Sequence, residues 1–119
     1  MKAQGLRMGN KVRWDYEIYT ITAISTDVVD ITRFGIAMSI NIKSIKPIPL
    51  TEEWLVKFGF VKNDCDNYEL EYTFKLNASF TIINKDRGYF YIDAPNHEIK
   101  YVHQLQNIFF ALTGEELTI

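Results

Sequence analysis

The chain has 119 residues, 47% of them apolar and 24% charged, an ordinary globular composition that excludes disordered, collagen-like and coiled-coil classes. Its 13 Lys and Arg against 15 Asp and Glu leave a net charge of -2, so no global field draws it to a phosphate backbone or an anionic bilayer. The single cysteine, Cys65, cannot close an internal disulfide, and no run approaches the roughly 20 apolar residues of a membrane span.

Up to Pro49 the pattern is one of short strands and tight turns. Lys11 to Trp14 precedes a polar turn at Asp15-Tyr16-Glu17. The β-branched and aromatic run Ile18 to Ile24 follows, then a turn at Ser25-Thr26-Asp27. Val28 to Thr32 is a third strand, interrupted by Phe34-Gly35, and Ile36 to Lys46 sets Ile36, Met38, Ile40 and Ile42 on one face. Strands so spaced, with no helix between them, predict an SH3-like small β-barrel or meander over residues 1–49.

Pro47 and Pro49 then enforce a stiff extended joint, because neither can donate to a ladder. Residues 50–119 are expected to form a helix, an antiparallel β-meander and a closing helix, so the fold class is α+β, built as one unit. The first helix runs from Leu50 to Phe60, with Thr51 as N-cap, Glu52 and Glu53 in the first turn and Gly59 as the left-handed terminator. Tyr68 to Leu76 alternates strictly, Asn77-Ala78 turns into Ser79 to Asn84, and Lys85 to Gly88 turns into Tyr89 to Asp93. Ala94-Pro95-Asn96 leads to a strand near Glu98 to Tyr101. The last helix spans about Val102 to Leu112, with Val102, Leu105, Ile108, Phe109 and Leu112 as its apolar face and Gly114 at its end.

Reactive chemistry is sparse. His97 and His103 are the only imidazoles and neither lies in a nucleophile motif. Cys65 is flanked by Asp64 and Asp66, which raise its pKa and blunt it. No zinc spacing, phosphate-binding loop or dinucleotide glycine pattern is present, so neither a catalytic residue, a metal site nor a cofactor is assigned. Rings are the abundant resource. Arg87-Gly88-Tyr89-Phe90-Tyr91-Ile92-Asp93-Ala94 partly resembles the base-stacking octamer of RNA-recognition motifs, with Tyr89 and Tyr91 on one face. However, Phe90 stands where a small residue belongs and Ala94 where the last ring belongs. On the last helix, at about 100° per residue, His103, Gln106, Asn107 and Phe110 fall on one stripe opposite the apolar face. Either that stripe packs on the other lobe, its amides satisfying buried backbone groups, or it is a contact surface.

Two strings, Lys46-Pro47-Ile48-Pro49-Leu50-Thr51-Glu52-Glu53-Trp54-Leu55-Val56-Lys57-Phe58-Gly59-Phe60 and Tyr101-Val102-His103-Gln104-Leu105-Gln106-Asn107-Ile108-Phe109-Phe110-Ala111-Leu112-Thr113-Gly114-Glu115-Glu116-Leu117, resemble a family of small uncharacterised proteins from gut Bacteroidota, their phages and integrated mobile elements. The opening Leu6-Arg7-Met8-Gly9-Asn10 is similar to that family's start. The resemblance implies an accessory protein acting in the bacterial host cytosol, a setting in which genes often encode inhibitors of host defence or small virion components. It carries no catalytic residue with it.

The function expected from these readings is a non-catalytic binding module for a partner protein or a nucleotide-like small molecule. Its candidate contacts are Tyr72, Arg87, Tyr89, Tyr91, His103, Gln106, Asn107 and Phe110, with Arg87 or Lys100 meeting a phosphate. The alternatives are a virion or oligomeric structural protein, and an RNA-binding protein using Tyr89 and Tyr91. Nucleic acid is disfavoured by the net charge, and no membrane is expected.

Overall fold

The alternation of β-branched and aromatic residues with polar ones builds a meander up to Asn41. A computed structural model of the chain describes residues 5–63, 70–74, 77–85, 89–92 and 97–117. In it, β1 (Lys11–Trp14), β2 (Glu17–Ile24), β3 (Val28–Arg33) and β4 (Ile36–Asn41) pair antiparallel in sequence order. A bulge between Ile21 and Ala23 shifts the β2–β3 register and bends the strand there. Inner positions Val12, Ile21, Val29 and Ile31 join Leu6, Ile42 and Ile45 in one buried cluster, with Trp14, Tyr19, Met38 and Ile40 packed at its margin.

This sheet is open, with β1 and β4 as its edges, so the ladders do not close the barrel anticipated from the strand spacing. The anticipated strand from Ile36 to Lys46 stops at Asn41. There the Asn41 carboxamide accepts from the Lys43 N–H at 2.9 Å and folds Ile42–Ser44 into a 3₁₀ turn, dropping Ile42 into the core. The chain re-emerges beside β1, where Arg13 and Lys46 exchange N–H···O bonds of 2.9 and 2.8 Å. Lys46 thus covers the outer edge of β1.

Helix α1 (Glu52–Phe58) buries Trp54, Leu55 and Phe58. It ends at Gly59, whose φ of 98° only glycine adopts freely and whose N–H donates to the Leu55 and Val56 carbonyls. Thr51 holds the N-cap backbone position, but its hydroxyl makes no capping bond. The first-turn carboxylates of Glu52 and Glu53 are left to offset the helix dipole. The chain passes at once into β5 (Phe60–Asn63), a strand not anticipated because Phe60 reads as the helix ending.

β5, β6 (Leu70–Phe74), β7 (Asn77–Lys85), β8 (Tyr89–Ile92) and β9 (His97–Ile99) form a second antiparallel meander, again in sequence order. Asn77 and Ala78 are strand rather than turn, because the ladder resumes at Phe74↔Asn77 after a register shift. The anticipated turn residues Asp86 to Gly88 and Ala94 to Asn96, and the loop bearing Cys65, lie outside the described residues. Helix α2 (Val102–Thr113) closes the described chain, with Gly114 at φ 75° as its left-handed terminator. Its entry is held by the Gln104 side chain, whose Oε1 accepts from the backbone N–H groups of Lys100 and Tyr101 at 2.9 and 3.0 Å. Val102, Leu105 and Phe109 are buried, whereas Leu112, expected on the apolar face, is more than half exposed.

The second core gathers Ile48, Leu50, Trp54, Leu55, Phe58, Phe60, Ile82, Phe90, Ile99, Val102, Leu105, Phe109 and Leu117. The proline joint is clamped within it: Leu50 N–H donates to the Lys100 carbonyl and Val102 N–H to that of Ile48, each at 2.9 Å. The molecule is elongated, 47 Å along its long axis against 27 and 26 Å.

Candidate functional site

The stripe on α2 meets the segment that leads into β1. Gln106 is 1% exposed; its amide donates to the Gly9 carbonyl at 3.0 Å and its carbonyl accepts from the Lys11 N–H at 2.8 Å. Asn107 donates to the Gly5 carbonyl at 2.7 Å and accepts from the Asn10 side chain at 2.8 Å and the Arg7 guanidinium at 3.4 Å. Phe110 lies beneath that guanidinium, 4.0 Å from ring centroid to Cζ, and Arg7 also pairs with Glu116. Amides on a helix are satisfying main-chain groups that no ladder reaches. These bonds seat β1 against α2.

His103 is buried on the same helix and stacks on Tyr101, with centroids 5.9 Å apart and rings 10° from parallel. Its Nδ1 is the one buried side-chain polar atom among the described residues without a hydrogen-bond partner. Burial holds its pKa below the ordinary 6.5, since a desolvated imidazolium is costly. Tyr72 stands on β6 opposite Lys62 and Ile82. On β8, Tyr89 pairs with Lys85 and Tyr91 with Ile83 and Glu98. Arg87 lies outside the described residues. Lys100 is exposed just ahead of α2.

A second surface escaped the reading of the sequence. In a four-stranded meander the β1–β2 and β3–β4 turns emerge at the same end of the sheet. Both turns put an aromatic residue into the left-handed region: Asp15 and Tyr16 have φ of 48° and 66°, and Phe34 has 52°. Tyr16 is 95% and Phe34 87% exposed, with Ile36 beside Phe34 also exposed. Left-handed backbone costs a non-glycine residue on the order of 1–2 kcal/mol, and an exposed ring recovers nothing from the core. The usable signal was a ring inside a two-residue turn, where core packing cannot explain it.

Two concavities flank these rings. One, about 310 Å³, is lined by Arg13, Trp14, Asp15, Tyr16, Ser44 and Lys46. The other, about 440 Å³, lies over the outer face of β2 and β3 and is lined by Lys11, Ile18, Thr20, Thr22, Thr32, Arg33 and Phe34. Arg33 spans the rim, paired with Glu17 at 2.8 Å and held 4.5 Å over the Phe34 ring. Lys11 donates from Nζ to the Thr20 hydroxyl at 2.6 Å, and burial holds its ammonium below the ordinary lysine pKa. Four cations, Lys11, Arg13, Arg33 and Lys46, thus stand against Asp15 and Glu17 at this end of a chain whose overall charge is -2.

No protein-family model, curated protein or solved structure matches the chain. Among the described residues no group of three or more His, Cys, Asp or Glu side chains gathers as a metal site, and no helix is long and apolar enough to cross a membrane.

Proposed function

We propose that this chain is a non-catalytic binding module whose N-terminal lobe is SH3-like and engages its target through the end of the sheet that carries Tyr16 and Phe34. The observation that carries this reading is the pair of exposed rings held at left-handed backbone beside four cations. Strain kept at a surface with no return from the core supports reading it as a surface retained for contact. The SH3-like reading is supported by the return of the chain after the 3₁₀ turn to bridge β1 through Lys46.

The cellular role we propose is that of an accessory protein of a phage or integrated mobile element of Bacteroidota, working in the host cytosol. The two strings that resemble that family meet across the proline clamp and supply most of the second core. They therefore belong to the scaffold, and the rings and cations of the first sheet lie outside them except for Lys46.

Isotope-labelled chain titrated with a bacterial cytosolic extract, divided into small-molecule and macromolecular fractions, tests the reading. Amide shifts centred on Lys11, Tyr16, Thr20, Thr32 and Phe34 are expected with one fraction, and joint replacement Tyr16→Ser with Phe34→Ser removes them. Shifts confined to the second sheet around Tyr72, Tyr89 and Tyr91, or no shifts at all, overturn it.

A further inference from the structure

The larger groove has the chemistry of a particular ligand class. Register aligns Lys11 with Thr20 and Thr20 with Thr32, so an ammonium and two hydroxyls form one row straight across three strands on the outer face of the sheet. That row spans about 10 Å, two strand spacings. Two residues beyond Thr32 along the strand direction stands Phe34, one face of its ring covered by the Arg33 guanidinium. Arg33 is neutralised by Glu17, whereas Lys11 has no ion pair among the described residues and only a neutral hydroxyl as partner. An ammonium partly withdrawn from water without a counter-charge is where an anionic group gains most.

We propose that this groove binds a nucleoside diphosphate, its phosphates on Lys11 and the hydroxyls of Thr20 and Thr32 and its base against Phe34. The proposal rests on the reading of this end of the sheet as the binding surface and names the ligand class for it. The groove volume of about 440 Å³ is that of a small-molecule site, and a polar row crossing the strands suits a compact anion better than an extended peptide, which runs along an edge. Base stacking needs only an open ring face, so it does not depend on net charge.

Calorimetric titration of the full chain with ADP, UDP, adenosine and inorganic pyrophosphate tests it. ADP and UDP are expected to bind one to one, more tightly than either adenosine or pyrophosphate, and to weaken as salt rises. Lys11→Met is expected to weaken ADP about tenfold or more, the loss of one charge-assisted contact. Phe34→Ser weakens ADP but leaves pyrophosphate unchanged. Thr32→Val, which keeps the side-chain shape, weakens ADP several-fold with an unaltered denaturation midpoint, and it decides the matter if Lys11→Met fails to fold. No binding of ADP or UDP at millimolar concentration, or equal binding by the parent and Thr32→Val, overturns the proposal. If the macromolecular extract still moves the Tyr16 and Phe34 amides, the binding surface stands and only the ligand class falls.

Discussion

Gln106 shows how much one side chain can hold. It lies wholly inside the molecule and satisfies the Gly9 carbonyl and the Lys11 N–H together. Gln106→Met keeps the volume but orphans both main-chain groups, so a loss of about 2–4 kcal/mol is expected in chemical denaturation. Fast amide exchange at Lys11 should accompany it. His103 behaves differently, because its buried Nδ1 has no partner to lose. Its folded pKa lies below the ordinary 6.5, so on acidification the unfolded chain takes up a proton before the folded one does. Stability from this group is complete above about pH 6.5 and falls as pH drops toward the folded pKa. His103→Leu is expected to flatten that part of the stability profile between pH 7.5 and pH 5, with the parent chain as reference; an unchanged slope would place the proton uptake elsewhere. The amide stripe itself was legible from helical periodicity, as was the choice between packing and contact. Its partner was not, since Gly5 to Lys11 lies about a hundred positions away and no local pattern encodes such a pairing.

At the level of elements, the strands of the first sheet were readable because Ile, Val and Thr alternate there. Gly59 and Gly114 were readable because each follows an apolar helical face. The missed features share a cause: a local choice was settled by competition between neighbours. Phe60 can end a helix or start β5, and ladder pairing with β6 decides for the strand. Asn41 can continue β4 or cap a turn, and its carboxamide decides for the turn. The β1–β2 hairpin carries Asp15 and Tyr16 where Asn-Gly would fit without strain. Replacing Asp15-Tyr16 by Asn-Gly is therefore expected to raise stability by about 1–2 kcal/mol, the left-handed cost removed. If the exposed ring serves contact, the same replacement lowers occupancy of the surface in the extract titration. A rise in stability with no change in those shifts would assign the contact to Phe34 alone.

At the scale of the whole molecule, two cores are joined through a proline clamp on one side and the α2 stripe on the other. Arg7 fastens the second joint from outside, over Phe110 and onto Glu116. Its contacts with Phe110, Glu116 and the Asn107 carboxamide are all partly solvated, so Arg7→Ala is expected to cost no more than about 1 kcal/mol globally. Its larger effect should be local, as faster exchange at Gly9 and Asn10 while the second sheet keeps its protection; uniform acceleration throughout would show that the two cores unfold as one. The dependence of β1 on α2 also orders events during synthesis. The first strand leaves the ribosome shortly before β2 but long before its helical partner, for Gln106 follows Lys11 by 95 positions and Gly9 by 97. A nascent chain halted before Val102 would hold the earliest strand half-seated, its main-chain groups still served by water. The Gly9 to Lys11 segment is thus fixed by a helix made long after it, and the Lys11 side of the first sheet acquires its shape only once that helix exists.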